Sequence, residues 1–362
     1  QKHLHQIPSF SQADSKEINM AETFLSIAVI GAGYFSQFHR DAWERIDKAQ
    51  IVGVMDKALS VAEATNYPAF DNMDDLLSTV APEVLDIVLP PDAQARVITQ
   101  ALDAGIKTII CQKPFCASTE QAEAITAASE AAGACLIIHD NFRFQPWYRA
   151  MKEVITAGTL GRLYQMRFQL RPGDGQGRDA YLARQPYFQT MPRFLVHETA
   201  VHWLDVFCYL FGLPDSVYAD LRQLNPAITG EDAGHILLGY DNGFRALFDG
   251  NRLADHRADN HRLTMGEAWV EAENGTLRLT GFGEVWMRGH LSAEETLILP
   301  AKDWPGFGGD CVKTLCHHVC ESLLAGTTPE NIARDYLTIL SLEKAVYESA
   351  ETGQKLCFTA PS

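Results

Sequence analysis

The sequence predicts an α/β protein with two parts: first a doubly wound parallel sheet, then an α+β domain built on a large, mostly antiparallel open sheet. Three observations support this prediction. A glycine-rich turn follows the first apolar run, and short apolar runs then alternate with helix-like segments as far as His139. Beyond that residue, strand-like runs follow one another with hairpin signals. Repeated β–α units favour a parallel, right-handed sheet, whereas strands joined by hairpins favour an antiparallel one.

The first apolar run, residues 24–30, leads directly into the turn Gly31-Ala32-Gly33. Gly31 suits a tight turn, and Gly33 leaves out the side chain that would block a pyrophosphate. The helix that begins near Tyr34 directs its unpaired N–H groups at that anion. Ser36 replaces the usual third glycine, and it is small enough for close helix–strand packing. The pattern is therefore typical of the Rossmann dinucleotide-binding fold.

The second strand, residues 49–55, ends at Asp56. A carboxylate at this place can accept hydrogen bonds from a ribose 2′-hydroxyl, and it would repel the 2′-phosphate of NADP. The placement of the turn and of Asp56 disfavours the alternative of an ordinary glycine-rich loop. The sequence predicts NAD as the cofactor, although the neighbouring Lys57 leaves NADP open.

Two further strands end at the same edge of the sheet. The run from Val84 to Leu89 stops at Pro90-Pro91, and the run from Lys107 to Cys111 is followed by Gln112 and Lys113. Ligands of open α/β sheets bind at the carboxyl ends of the strands. A simple strand-terminating turn at the two prolines stays open as an alternative. The predicted cofactor contacts are Gly31, Gly33, Tyr34, Phe35, Asp56, Lys57, Leu89, Pro90, Pro91, Gln112, Lys113 and Asn141.

Composition excludes several classes of protein. The chain has 362 residues, 46% of them hydrophobic and 21% charged, which suits a soluble protein of two domains. A net charge of −16 argues against nucleic-acid binding, and no apolar run is long enough to cross a bilayer. The eight cysteines form no short-loop framework, so we expect free thiols and a cytoplasmic location. We predict no metal site, since the cysteines and histidines of residues 311–320 lack the spacing of structural zinc sites.

The predicted boundaries are a leader or expression remnant at residues 1–22, the dinucleotide-binding domain at 23–142, and a substrate-binding and oligomerisation domain at 143–362. Within the last of these, two Asn-Gly pairs, at residues 242–243 and 274–275, mark tight hairpins. Helices are predicted at 147–157, 198–211 and 310–351, the last with a break near Gly326. The predicted strands are 163–170, 216–222, 234–240, 244–249, 262–265, 269–273, 275–280 and 284–288.

One segment of the second domain, residues 191–205, is unusually rich in titratable groups. Glu198 and His202 lie four residues apart and share a face if the segment is helical. A histidine beside a carboxylate suits proton transfer near neutral pH. The alternative, an ion pair on a helix surface, stays open from the spacing alone.

Several motifs taken together resemble the glucose–fructose oxidoreductase / inositol dehydrogenase (Gfo/Idh/MocA) family. They occur in one order from Phe24 to the last helix: Gly31-x-Gly33, Asp56, Leu89-Pro90-Pro91, Lys113-Pro114, Asn141-x-Arg143-Phe144 and Glu198-x-x-x-His202-x-x-Asp205. The resemblance implies a Rossmann domain followed by an open-faced α/β domain, with substrate bound between the nicotinamide and the second sheet. It also makes Lys113-Pro114 a candidate cis peptide.

The resemblance assigns roles to particular residues. Lys113 matches a lysine that contacts both cofactor and substrate oxygen, His202 matches the acid–base histidine, and Glu198 stands where most members carry aspartate. Two departures are Gln112, in place of a glutamate, and Gln94, in place of a common histidine. The predicted catalytic residues are Lys113, His202 and Glu198, and the predicted substrate contacts are Lys113, Arg143, Arg171, Tyr187, Glu198 and His202.

These observations predict an NAD-dependent dehydrogenase that acts on a hydroxyl of a sugar, sugar derivative or cyclitol, with an aldopentose such as apiose as one specific candidate. The glycine-rich loop from Arg171 to Gly177 is either a cover for the substrate or a mobile surface loop. One alternative function is a redox-neutral lyase or glycosidase that uses bound NAD transiently; another is a non-catalytic dinucleotide-binding sensor. The open sheet predicts a homodimer or homotetramer.

Overall fold

The computed structural model describes residues 24–360, which form two sheets with helices packed against them. The predicted leader lies outside the described residues. All eight cysteines fall within the described part and carry free thiols. Among residues 24–360, no helix combines the length and the apolar character that a membrane span requires. The same residues contain no group of three or more His, Cys, Asp or Glu side chains arranged to hold a metal ion.

The first sheet is parallel and has the strand order β3-β2-β1-β4-β5-β6. This order is that of a doubly wound Rossmann sheet, as predicted. Residues of β4 are buried on both faces because helices cover both sides of the sheet. The strands are β1 Leu25–Ile30, β2 Ala49–Met55, β3 Ala69–Phe70, β4 Val84–Ile87, β5 Thr108–Gln112 and β6 Cys135–His139. The helices are α1 Ser36–Glu44, α2 Leu59–Glu63, α3 Met73–Val80, α4 Pro91–Asp103 and α5 Thr119–Ala131.

The second sheet has the order β14-β13-β12-β11-β7-β10-β9-β8-β15. Its pairs are antiparallel except for β7 with β10, which confirms the predicted mostly antiparallel sheet. The strands are β7 Leu163–Leu170, β8 Ser216–Arg222, β9 Ala233–Gly239, β10 Arg245–Asn251, β11 Gly266–Ala272, β12 Gly275–Leu279, β13 Val285–Gly289, β14 Glu295–Leu299 and β15 Leu356–Cys357.

One face of the second sheet is covered and the other is open. Met166, Phe168 and Leu170 of β7 are buried in one core with residues of the helices, whereas Gln165 and Gln169 alternate with them on the other face. This period of two is what places a covered and an open face on one strand. The helical segments of this half are α6 Pro146–Thr156, a π-helix Leu195–Ala200, α7 Val201–Phe211, α8 Phe307–Ala325, α9 Ala333–Thr352, and short 3₁₀ turns at Phe142–Phe144 and Pro186–Thr190.

The elements differ from the predicted ones in three respects. The run 262–265 is not a strand but part of a turn, in which Met265 has a left-handed φ of 58°. Strands β3, β14 and β15 were not predicted, because two are very short and β14 is mostly exposed. The predicted helix 198–211 begins instead as a π-helix at Leu195, and π turns occur often at functional sites.

Helix α8 belongs to the second half of the chain but packs against the first sheet's helix α1. Cys311, Cys316 and Cys320 are buried in the same apolar cluster as β1 and Trp43. Arg45, directly after α1, also pairs with Asp310, with 2.6 Å between Nη2 and Oδ1. The chain therefore returns to the dinucleotide-binding domain after completing the second sheet, although the sequence boundary at 142/143 assigns α8 to the second domain.

Candidate active site

The glycine turn after β1 has the geometry that the motif predicts. Gly31 has a φ of +99°, and a Cβ added there would lie 2.3 Å from the carbonyl oxygen of Val88. A Cβ at Gly33 would meet no atom within 4 Å, so the space in front of this residue is open to a ligand. Ser36 is buried and donates a hydrogen bond of 2.7 Å to the Gly33 carbonyl, which fixes the turn. The turn thus has room for a pyrophosphate at the start of α1.

Asp56 is held at the carboxyl end of β2 by backbone donors. Its Oδ2 accepts the N–H of Ala32 at 2.9 Å, and its Oδ1 accepts the N–H of Ala58 at 3.0 Å. A carboxylate offers about four acceptor positions. Two therefore remain for the hydroxyls of a ribose, and Lys57 follows immediately in the chain.

Gln94, one of the two departures from the family pattern, connects the ends of β4 and β5. Its Nε2 lies 3.0 Å from the carbonyl oxygen of Leu89, 2.8 Å from that of Gln112 and 3.1 Å from that of Pro114. Its Oε1 accepts the N–H of Cys116 at 2.8 Å. The side chain is fully buried. It therefore supports the loop that carries Lys113, in which the peptide bond between residues 113 and 114 is cis, as the resemblance indicated.

Lys113 reaches from this loop to the π-helix of the second domain. Its Nζ donates to the main-chain oxygen of Glu198 at 2.6 Å and lies 3.2 Å from the carboxylate Oε1. The lysine side chain is 8% exposed and that of Glu198 is 17% exposed. The structure therefore brings these two predicted catalytic residues into contact, one from each domain.

His202 stands on the first turn of α7, and its ring is held on two sides. Nδ1 lies 2.5 Å from Oδ1 of Asp140, a fully buried residue that follows β6. The ring stacks on Phe142 at 3.9 Å between centroids and 8° between planes. Burial lowers the pKa of His202, Asp140 opposes this effect, and nearby Lys113 adds to it. The positive charge of Lys113 therefore disfavours protonation of His202.

Asp140 was not predicted as a site residue. Burial would raise its pKa, but His202 and Lys113, together with a hydrogen bond from Tyr336, hold that pKa at about 2. The available signal was its position, directly after a strand that ends at the cofactor edge and directly before Asn141. Asn141 is buried, and within the described residues its Nδ2 has no hydrogen-bond partner. An amide donor left free at this edge fits a cofactor contact.

Two residues near Glu198 complete this side of the cleft. The Glu198 carboxylate contributes to the raised pKa of Tyr187, although burial is the larger cause. His197 pairs with Glu343, with 2.7 Å between Nδ1 and Oε1. Burial alone would lower the pKa of His197, but Glu343 raises it. Tyr187 and His197 thus lie within electrostatic range of the Lys113–Glu198 pair.

Two arginines that were predicted to bind substrate are engaged elsewhere. Arg143 forms a bidentate pair with buried Asp205, at 2.8 Å from Nε and 2.5 Å from Nη2. Arg171 binds Asp249 on the open face of the second sheet, with 2.8 Å between Nη2 and Oδ1. Buried Arg252 supports the loop that follows Arg171.

Arg252 was missed by the sequence reasoning, because nothing near it in the sequence marks it. Its Nη2 lies 2.9 Å from Oδ2 of Asp174, its Nε donates to the hydroxyl of Tyr181 at 2.7 Å, and its Nη1 donates to that of Thr199 at 2.6 Å. The guanidinium therefore ties the loop to the π-helix that carries Glu198.

A glycine turn at a Rossmann edge, an acidic residue at the end of β2, a lysine paired with Glu198 and a histidine paired with Asp140 define a two-domain nicotinamide-dependent oxidoreductase. Comparison with known proteins agrees. Residues 25–139 match the model of an oxidoreductase family with an NAD-binding Rossmann fold, and residues 148–278 match the Gfo/Idh/MocA C-terminal domain. The chain belongs to the Gfo/Idh/MocA oxidoreductase family and uses NAD.

Individual relatives cover nearly the whole chain. D-apiose dehydrogenase of Paraburkholderia graminis is 30% identical over 338 residues, which are 90% of this chain and 88% of that protein. D-apiose dehydrogenase of Rhizobium rhizogenes is 27% identical, over 93% of this chain and 98% of that protein. An oxidoreductase of Agrobacterium radiobacter, crystallised with NAD+, L-tartaric acid and magnesium, is 25% identical with a TM-score of 0.82, over 92% of this chain and 98% of that one.

Proposed function

We propose that this protein oxidises a hydroxyl-bearing carbon of a sugar, sugar derivative or cyclitol, with His202 as the acid–base group and Lys113 orienting the substrate oxygen. The observation that carries the proposal is that Lys113 bonds to Glu198, four residues before His202 in the chain, and that its positive charge helps to lower the pKa of His202. Oxidation of an alcohol needs a base for the O–H proton and a donor for the oxygen that develops negative charge. His202 and Lys113 supply these two functions.

The chain's own residues divide the work as follows. His202 takes the hydroxyl proton at Nε2, since Nδ1 is already bound to Asp140. Lys113 donates a hydrogen bond to the same substrate oxygen, and Glu198 holds the lysine in place. Glu198 also offers acceptor positions for a neighbouring hydroxyl of a polyol. When NAD is bound, its nicotinamide accepts the hydride that leaves the carbon, which becomes a carbonyl.

Within this class, we propose an aldopentose such as D-apiose as the first substrate to test. The support is that two relatives matching over at least 88% of their own length are named D-apiose dehydrogenases. Lys113 contacts the Glu198 carboxylate, this carboxylate acts on the pKa of Tyr187, and Lys113 acts on that of His197, so carboxylate, hydroxyl and imidazole groups that suit a ligand with several hydroxyls belong to this region. Sugar acids and cyclitols belong in the same panel.

The test is NADH formation with D-apiose and the panel, using the wild type, His202→Ala and a control. We expect His202→Ala to reduce kcat by about 10²- to 10⁴-fold, the range typical of a general acid–base group, while NAD still binds. His317→Ala is the matched control, because this histidine lies exposed on α8. Unchanged turnover in His202→Ala would refute the assignment.

The two alternative functions give different results in the same assay. A redox-neutral lyase or glycosidase would consume substrate without net NADH, and a sensor would bind NAD without turnover of any panel member.

The free thiols of the eight cysteines support a reducing compartment such as the cytoplasm.

We also propose that the open face of the second sheet is covered by another copy of the chain. Tyr218 and Leu237 are exposed on this face and Trp269 is half-buried there, so the open face carries apolar side chains that a second copy would cover. Light scattering should give a dimer or tetramer, and Leu237→Glu should shift the mass toward the monomer. A monomeric wild type would refute this.

A further inference from the structure

The carboxylate that follows β6 has no role in the predicted site, yet it contacts the histidine on which the proposed function rests. We propose that Asp140 is a positioning residue for catalysis: it holds His202 in the tautomer whose Nε2 is free, and it faces the imidazolium that forms when the substrate proton arrives. This inference rests on the proposed function, because it assumes that His202 is the base.

Asp140 is fixed by partners from distant parts of the chain. Its Oδ1 faces His202 at 2.5 Å, and its Oδ2 accepts the hydroxyl of Tyr336 of α9 at 2.9 Å. Asn331 donates to the main-chain oxygen of Asp140 at 2.7 Å, and its own carbonyl accepts the N–H of Ile138 at 2.8 Å. Both oxygens and the backbone of this residue are therefore held, and none of its side chain is exposed to solvent.

This arrangement determines the position of the histidine proton. An ionised carboxylate only accepts hydrogen bonds, so Nδ1 of His202 must carry the proton that lies between the two residues. Nε2 then keeps its lone pair and can act as a base. The stacked ring of Phe142 sets the plane of the imidazole, so that Nε2 has one direction available. The same logic of nucleophile, base and orienting carboxylate applies to hydrolytic triads.

The charges around the pair fit this role. Asp140 remains ionised at neutral pH because its pKa is held at about 2, and burial keeps the pKa of His202 below its ordinary value. The pair is therefore an anion beside a neutral imidazole before reaction, and an ion pair after proton transfer. The other charged or titratable groups that act on these two residues are Lys113, His139, Arg143, Glu198, Asp205, Cys311 and Tyr336.

A merely structural role would predict a different outcome. Asp140 also ties β6 to α9, so its loss could lower stability and activity together without affecting the proton on His202. Asp86 provides the matched control for a purely structural role of Asp140. It is likewise fully buried and paired with a histidine, at 2.8 Å from Nδ1 of His39, and it accepts the indole N–H of Trp43. Asp86→Asn therefore makes the same chemical change at a pair that the proposed mechanism does not use.

The first readout needs no substrate. In protein labelled with ¹⁵N-histidine, NMR titration reports the tautomer and the pKa of each histidine, and His202→Gln identifies the His202 signals. We expect the wild type to carry the His202 proton on Nδ1. Asp140→Asn should lower the pKa of His202, because the anion that favours the imidazolium is gone. Asp86→Asn should leave the His202 signals unchanged.

Tyr336→Phe provides a second variant with the opposite expected sign. It keeps the carboxylate but removes the hydrogen bond to Oδ2, so more of the negative charge is available to the imidazolium. The pKa of His202 should therefore rise. If Asp140→Asn does not fold, this variant decides alone. A wild-type proton on Nε2, or a His202 pKa that does not rise in Tyr336→Phe, would overturn the proposal.

The kinetic test uses D-apiose, or the panel sugar that gives the fastest NADH formation, as the substrate. We expect Asp140→Asn to lower kcat by about 10²- to 10⁴-fold, with the Kd of NAD within threefold of the wild type. The acid limb of kcat/KM against pH should move down in Asp140→Asn and up in Tyr336→Phe. If His202→Ala loses turnover while Asp140→Asn behaves like Asp86→Asn, this inference fails and the proposed function stands. If His202→Ala keeps full turnover, the proposed function itself fails.

Discussion

Replacing Gln94 with alanine should destabilise the loop that carries Lys113, although the glutamine touches neither that side chain nor the substrate. The variant leaves the N–H of Cys116 buried without its acceptor, which costs about 1–3 kcal/mol. It also removes the donor shared by the carbonyls of Leu89, Gln112 and Pro114. Adding a similar amount for these carbonyls, we expect the free energy of unfolding to fall by about 2–6 kcal/mol.

The effect of this substitution should extend to turnover. A displacement of about 1 Å in a positioning group can cost about 10²-fold in rate, so we expect a loss of this order in kcat. Gln100→Ala is the matched control, because Gln100 lies on the same helix α4 and is exposed. Its effect on unfolding should stay within about 0.5 kcal/mol. Urea unfolding and NADH formation measure both quantities. If Gln94→Ala is no less stable than Gln100→Ala, the proposed support of the loop is wrong.

The remaining predictions concern the glycine turn and acid stability. Gly31→Ala should lower the free energy of unfolding by about 2–4 kcal/mol, since its Cβ would clash with the backbone at a positive φ. Gly33→Ala should change the free energy of unfolding by no more than about 1 kcal/mol but raise the Kd of NAD about 10- to 100-fold, because its Cβ enters only the pyrophosphate space. Urea unfolding without cofactor and a fluorescence titration with NAD test both variants. Equal losses of stability in Gly31→Ala and Gly33→Ala would contradict this prediction. Burial lowers the pKa of His139 to about 3. As the pH falls from about 6.5 toward 3, the histidine is protonated in the unfolded chain but not in the folded one, so the free energy of unfolding decreases. His139→Phe should remove about 1.4 kcal/mol per pH unit of that decrease between pH 6 and 4. Urea unfolding at several pH values measures the free energy of unfolding of the wild type and the variant. If the two proteins lose stability in parallel as the pH falls, the prediction is wrong.

The Rossmann half could be predicted closely because its signals are local. Apolar runs of strand length, the glycine turn and Asp56 each lie within a short stretch, and the structure places them at one sheet edge. The second sheet was predicted from hairpin signals with less success at its margins. The segment 262–265 has the alternation of a strand but ends at Met265 in a left-handed turn, and an exposed edge strand such as β14 has little apolar patterning to detect.

The site was predictable only where one residue type already implied a role. Lys113 and His202 were predicted as site residues because their motifs lie at the expected edges. Asp140 was missed because its partners are 62 and 196 residues away in the chain. Arg143 and Arg171 were predicted as substrate contacts, and in the structure each also pairs with a carboxylate that the sequence does not mark as its partner. Charge type indicates what a side chain can bind, and only the fold decides which partner it meets.

The residues of the candidate site come from several different strands and helices of the fold. Lys113 follows β5 and bonds to the π-helix, Asp140 follows β6 and is held by Tyr336 of α9, and His202 of α7 pairs with Asp140. Helix α8 meanwhile packs on α1 of the first domain. Domains joined by a small polar interface usually move relative to each other, but these contacts are buried and come from several directions. If Lys113 and His202 have the proposed roles, their side chains are held in place before substrate arrives, which is the condition under which orientation contributes most to rate.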